Sequence, residues 1–219
     1  MIVTALEQQK KDNSRLNVYM DGNFFCGLSV NIIAQYNIYQ GKEIEDNKLE
    51  EILFAELQSR FFDRAVSYLV RSPKTEYQIK RYINELFFKK KGKWFEDISK
   101  EQMEQIQNNV LDKLHKYDYI DDKRYAELFV TSRLKNKPRG RAVLYGELLS
   151  KGVSKDIVKE TLDNMFKDEY QVLKDAYKKK YKEEKISFED TKKISFLQRK
   201  GFNWDLIERY INDESTKEN

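Results

Sequence analysis

Along most of this chain of 219 residues, apolar side chains return every three or four positions. Met103, Ile106, Val110, Leu111 and Leu114 fall at offsets of 3, 7, 8 and 11 from Met103, which is the stripe of one helical face. Leu49, Ile52, Leu53 and Leu57, continuing through Phe61, Ala65, Tyr68 and Leu69, draw a similar stripe, as do Ile79, Ile83, Leu86 and Phe87. Ahead of residue 46 the period changes. Leu16, Val18 and Met20 alternate with polar residues, Asp21-Gly22 supplies a hairpin turn, and Phe24-Phe25-Cys26 follows, so strands are expected there. Residues 2–6 can add a third strand, Ser29 can cap a short helix over 30–36, and Gly41 reads as a turn.

Breakers divide the helical part into trios. Ser72-Pro73 reads as a cap followed by proline at the first helical position, Gly92 as a stop, and Ser99 with Gln102 as a capping box. A second trio opens at Asp121 or Asp122, breaks at Pro138 and Gly152, and takes Ser154 as its last cap. Its candidate core is Tyr125, Leu128, Phe129, Val143, Leu148, Ile157, Val158 and Leu162. A third trio carries Leu173, Ala176 and Tyr177, then Ile194 and Leu197 after a Ser187 cap, then Leu206, Ile207 and Ile211. From Asp213 the chain is polar and is expected to fray.

The trios are internally related. The run from Leu148 through Lys151-Gly152 and Ser154 to Ile157-Val158 matches, without a gap and at an offset of 49, the run from Leu197 through Lys200-Gly201 and Asn203 to Leu206-Ile207. In each, a leucine closes one helix, Lys-Gly makes the turn, a Ser or Asn caps, and an apolar pair resumes. The expected fold is therefore mainly α: tandem three-helix repeats in an elongated curved array, with a small strand-containing N-terminal segment. The corresponding division is 1–45 for the strand-rich module, 46–120, 121–168 and 169–212 for three repeats, and 213–219 for the tail.

Charge alters this picture in one respect. The 41 basic and 37 acidic side chains nearly cancel to +4, so long-range attraction to DNA has to come from local patches. A single cysteine, Cys26, excludes an internal disulfide and a multi-cysteine zinc site, and it fits a buried small residue in a reducing compartment. His115 has no second histidine to complete a metal site, and the eight glycines are scattered as turn punctuation, with no Walker-type run. Asp121-Asp122 is explained by capping. The N-terminus mixes Glu7 with Lys10 and Lys11 and lacks a signal-type apolar core, and no stretch is apolar enough to cross a bilayer. These features lead us to expect a cytoplasmic, non-enzymatic protein without cofactor, metal or membrane partner, and a monomer.

Three stretches resemble one family, the RecX proteins. Arg64-Ala65 to Leu69, then Arg71-Ser72 with Glu76 and Ile79, resembles the start of that family's first repeat. Tyr119-Ile120-Asp121-Asp122-Lys123-Arg124-Tyr125-Ala126, ending in Phe129-Val130, is similar to its most recognisable run, where one repeat passes into the next. Arg139-Gly140-Arg141, with Glu147-Leu148 and Lys151-Gly152-Val153 downstream, resembles its second-repeat signature. The resemblance implies a protein that lies along the groove of a RecA filament, restrains its growth and strand exchange, and damps its ATPase and co-protease activities. That would place the chain in DNA repair, recombination and the SOS response, with the RecA filament and single- or double-stranded DNA as partners.

Two basic clusters are the candidate RecA- or DNA-binding sites. Arg133, Lys135, Lys137, Arg139 and Arg141 flank Pro138 and Gly140, so one turn presents several cations while the next helix start offers amides to an anion. Lys151 lies in the related Lys-Gly turn. Lys89, Lys90, Lys91 and Lys93 stand beside Trp94 and Phe95, which suits phosphate contact with base stacking; the alternative is dipole compensation by the lysines and core packing by the rings. Lys178, Lys179, Lys180 and Lys182 run into Glu183-Glu184 and read as a solvated face. Besides filament regulation, a sequence-independent DNA-binding module competing for the lattice and a helical-repeat scaffold remain open alternatives.

Overall fold

A computed structural model describes residues 1–10 and 12–216; Lys11 and the last three residues of the expected tail lie outside the described residues. Among the described residues there are three strands and ten helices, so the fold is mainly α with a small antiparallel sheet at the N-terminus. The chain divides into two compact units, residues 1–72 with 80–119 and residues 73–79 with 120–219.

The first unit opens with β1 (Val3–Gln9), β2 (Asp12–Met20) and β3 (Asn23–Ser29), paired antiparallel in that order. Asp21 and Gly22 both have positive φ, 48° and 84°, as a two-residue primed turn demands. Val18 pairs with Leu6 on one side and Cys26 on the other, and Val3, Val18, Met20 and Leu28 supply the sheet's share of a core. Ser29 caps α1 (Val30–Gln35) by accepting from the Ile32 amide, and Ile32, Ile38, Ile44, Leu49 and Ile52 complete that core.

The long α2 (Asp46–Arg71) holds the sheet through Glu56, whose side chain is only 4% exposed. Its carboxylate accepts from Arg15, from Arg60 Nε at 2.8 Å and from the Ser29 amide at 2.8 Å, while both arginines also donate to the Gly27 carbonyl. Cys26 packs against the sheet's core, and burial, then the Glu56 charge, pushes its thiol up to about 11, which disfavours the thiolate. Further along α2, Phe61 packs on Phe87 of α3 (Glu76–Lys90), and Ile106, Val110, Leu111 and Leu114 of α4 (Lys100–Lys116) are buried. Ser99 and Gln102 form the expected capping box.

Sequence and structure part at the start of α3. Ser72 ends α2 in an extended conformation, and the cap of α3 is Thr75, which exchanges reciprocal hydrogen bonds with Gln78. That reciprocal pair satisfies two amide donors at once, which the expected Ser72-Pro73 start would not. The first turn of α3 belongs to the second unit.

That unit contains α5 (Asp122–Asn136), α6 (Arg141–Ser150), α7 (Lys155–Met165), α8 (Glu169–Tyr181), α9 (Thr191–Arg199) and α10 (Trp204–Thr216). Ala126, Val130, Leu144, Leu148, Val153, Val158, Leu162 and Phe166 form one core, and Leu173, Ala176, Tyr177, Ile194, Leu197, Ile207, Tyr210 and Ile211 are the heart of a second. Leu128, expected inside, is half exposed: Ala126 and Val130 set the inner face of α5, and position 128 points off it. Asp190, not Ser187, stands at the cap of α9, and Ser187 donates to its carboxylate. The expected fraying after Asp213 does not begin there: α10 continues to Thr216, held in part by Tyr170 donating to Asp213.

Candidate functional site

The offset-49 repeat is a repeat of docking geometry as well as of sequence. At Lys151-Gly152 and at Lys200-Gly201 the same three amides turn back: those of Lys151, Gly152 and Val153 donate to Leu148, Leu149 and Leu148, and those of Lys200, Gly201 and Phe202 to Leu197, Gln198 and Leu197. Both glycines are left-handed, with φ of 86° and 92°. Each turn then meets the start of the second helix of the preceding trio. The Lys151 carbonyl accepts from Thr75 Oγ1 at 2.6 Å, and the Lys200 carbonyl accepts from the Gly140 amide at 2.8 Å. A Cβ on Gly152 would run into Tyr77 of α3, and one on Gly201 into Val143 of α6.

The acidic doublet completes the junction. Asp121 caps its own helix by accepting from the Arg124 amide at 2.8 Å, whereas Asp122 reaches the Glu76 amide of α3 at 2.9 Å. One trio later Asp168 caps α8 through the Gln171 amide, and Glu169 reaches the Arg141 amide of α6 at 2.8 Å. The second and third trios thus each cap their own first helix with one acid and the preceding trio's second helix with the next. The Arg141 amide is therefore occupied by Glu169, which corrects the expectation that the start of α6 offers that donor to an anion.

The cations of the second unit sort around these junctions. Arg133 and Arg139 both face Glu147, through Nε at 2.8 Å and 3.4 Å, and Arg133 also lies over the Phe129 ring. Arg141 is paired with Asp163. Lys135 and Lys137 are exposed and form no ion pair among the described residues, and the Lys135 carbonyl accepts from Lys179 Nζ. Lys200 lies in the midst of this group: partial burial and then Arg139, Lys180, Lys137 and Arg133 hold its ammonium below the usual lysine range. Lys180 spans the Tyr181 and Phe196 rings, and Lys200 also faces Phe196. The structure thus brings Lys180 and Lys200 to the Arg139 turn, although residues 178–182 read as a solvated face. The usable signal was the repeat itself, which makes Lys200 the counterpart of Lys151. At the other junction partial burial, then Lys151, lowers the Lys74 ammonium in the same way, while Lys151 lies over Phe129.

Lys89, Lys90, Lys91 and Lys93 belong to the first unit and are arranged differently. Lys89 pairs with Glu85 and Lys91 with Asp97, while Lys90 faces the Trp94 ring at 5.1 Å. Trp94 and Phe95 pack edge-on against Phe61 and Phe87, and Arg60 and Arg64 cover the indole further, so both rings serve the core of this unit. Among the described residues no group of three or more His, Cys, Asp or Glu side chains could hold a metal ion, and no helix is long and apolar enough to cross a membrane.

Comparison with known proteins gives one consistent match. The family model described as the regulatory protein RecX N-terminal domain matches residues 1–45, and that of the second three-helix domain of RecX matches residues 121–162. Regulatory protein RecX of Clostridioides difficile is 28% identical over 96% of this chain and 94% of its own, and that of Bacillus velezensis is 27% identical over 98% and 80%. Among solved structures, a crystal structure of regulatory protein RecX superposes with a TM-score of 0.72 over 97% of this chain and 98% of its own at 22% identity. RecX from Lactobacillus salivarius superposes with a TM-score of 0.56 over 74% of this chain and 99% of its own, also at 22% identity. At that identity the two structures speak for the fold.

Proposed function

Because the chain belongs to the RecX family of regulatory proteins, we propose that it binds RecA filaments on DNA and restrains their extension, ATPase, strand exchange and co-protease activity. It does so as a cytoplasmic, monomeric, non-enzymatic protein whose three repeats span 46–120, 121–168 and 169–212. The observation that carries the reading is the group of like charges around Lys200, where Arg133, Lys137, Arg139 and Lys180 converge from two successive trios. Cations gathered on one surface are suited to an extended polyanion or an acidic protein surface.

The test is the ATPase of RecA on single-stranded DNA, titrated with this protein at several salt concentrations. Inhibition well below one protein per recombinase subunit supports action on the filament. No effect at any ratio rejects the proposal. A second reading, a sequence-independent DNA-binding module, is favoured by the same crowding of cations, since phosphate contacts alone give salt-sensitive binding. It is the better account if the ATPase falls only once the protein is abundant enough to coat the DNA.

A further inference from the structure

We infer that the two junctions of the second unit each carry one phosphate-binding cation pair, Lys74 with Lys151 and Arg139 with Lys200, and that the two pairs hold successive stretches of one nucleic-acid backbone. The inference rests on the reading of this unit as a surface that meets a nucleoprotein filament, and it names the ligand of that surface.

The pairs are equivalent by construction. Pro73-Lys74-Thr75-Glu76 and Pro138-Arg139-Gly140-Arg141 occupy the same place, immediately before and into the second helix of consecutive trios. Thr75 and Gly140 bond the carbonyls of Lys151 and Lys200, so the basic residue one position earlier is brought beside the lysine of the next turn. Gly152 and Gly201, pressed against Tyr77 and Val143, fix how closely the two backbones approach. Neither Lys151 nor Lys200 forms an ion pair among the described residues, and the depressed ammonium groups of Lys74 and Lys200 have like charges among their causes.

Two features favour phosphate over carboxylate. The chain pairs Arg133 and Arg141 with its own carboxylates, and Arg139 meets Glu147 only through Nε at 3.4 Å without a hydrogen bond, whereas each proposed site includes a lysine, a point charge with rotatable donors that meets phosphate oxygens without needing the planar match of a carboxylate. The sites also recur with the repeat. A polymer of identical phosphates presents equal charges at regular intervals, which the irregular surface of a folded protein does not.

The experiment is an anisotropy titration of a labelled oligothymidine with the full chain, without recombinase, across a range of salt. Lys151→Gln with Lys200→Gln leaves the backbone junction intact, so the fold is expected to hold, as thermal unfolding will check. Affinity should fall roughly tenfold, and the slope of log K against log salt should lessen by about 1.4, the sum for two single-strand phosphate contacts. Each single variant should give about half the slope change. Lys167→Gln with Lys192→Gln, an equal charge loss at exposed positions outside the pairs, should change little. If the first double variant loses its fold, Lys74→Gln with Arg139→Gln poses the same question from the other side of each pair. Unchanged affinity and slope overturn the inference, as does an effect carried by one lysine alone. If oligothymidine binding is unchanged while inhibition of the recombinase is lost, the pairs face an acidic protein surface; the phosphate assignment then falls and the regulatory proposal stands.

Discussion

Glu56 in the first unit and Lys200 in the second are both charged groups drawn partly or wholly out of water, and their surroundings are opposite in kind. Glu56 is met by Arg15, Arg60 and the Ser29 amide, so its charge is answered within the fold. Lys200 is partly buried and lies near Arg139, Lys180, Lys137 and Arg133, of which Glu147 answers Arg133 and approaches Arg139, so its own charge has like charges and no carboxylate partner among the described residues. The first arrangement contributes to holding a sheet on a helix. The second works against the folded state and is intelligible as a surface shaped for an anion supplied from outside. The number of cations in a segment is therefore a poor guide. Lys89 and Lys91 look as promising in the sequence as Lys135 and Lys137, yet they are paired with Glu85 and Asp97.

The contrast is broken most severely at Glu56. Glu56→Ala leaves two partly buried guanidinium groups and the Ser29 amide without their acceptor, and removing one partner of a buried pair costs about 3–5 kcal/mol. Urea unfolding should show a loss of that order, and β-sheet signals should be lost ahead of the helical ones. A loss below about 1 kcal/mol would mean that Glu56 does not hold the sheet.

Next in size are the junction glycines. Gly152→Ala and Gly201→Ala combine left-handed strain with a collision against Tyr77 or Val143, together about 2–4 kcal/mol. Gly22→Ala is the control, with φ of 84° and nothing within 4 Å of a new Cβ, so it should cost only about 1 kcal/mol. Equal losses at all three positions would remove the close approach from the account of the junction. The paired acids come third: Asp122→Ala and Glu169→Ala should each cost about 1 kcal/mol, the value of a helix cap, read from denaturation midpoints. Because each acid caps a helix of the neighbouring trio, amide exchange should rise at Glu76 or Arg141 rather than in the acid's own helix.

What the sequence discloses follows the range of the forces involved. Helices, strands, the Asp21-Gly22 turn and the Ser99 box are set by neighbours a few residues apart, and they are plain in the pattern. The misplaced caps at Ser72 and Ser187 fail for a local reason: Thr75 with Gln78, and Asp190, are equally good polar candidates, and a serine before proline is an attractive decoy. The second acid of Asp121-Asp122 could not be assigned, because its acceptor role lies 46 positions away on another helix. Of the candidate site, the Arg133 to Arg141 turn was legible from the density of cations. The contributions of Lys74, Lys180 and Lys200 depend on which turns dock together, and the offset-49 repeat encodes the equivalence of the two Lys-Gly turns but not the helix starts on which they pack.

The smallest effect tests the sign of the second environment directly. If Lys200 is held among like charges, Lys200→Gln should leave stability unchanged or raise it slightly, by a few tenths of a kcal/mol after solvent screening, despite the lost contact with Phe196. The gain should be largest at low ionic strength and vanish toward 1 M salt, where charges more than about 3 Å apart are screened. In the unmodified protein the linkage runs the same way. A lysine whose folded ammonium titrates below its unfolded value of 10.5 binds fewer protons folded than unfolded in that interval, so its penalty applies below the folded value and is relieved as pH rises toward 10.5. A small stability gain of the variant at neutral pH that shrinks on raising pH into that window and also disappears at high salt would identify like-charge crowding as its cause, whereas a gain that shrinks with pH but not with salt would identify burial of the ammonium. A loss of stability that salt does not alter would mean that Lys200 serves mainly to cover Phe196, and the contrast with Glu56 would dissolve into two forms of packing.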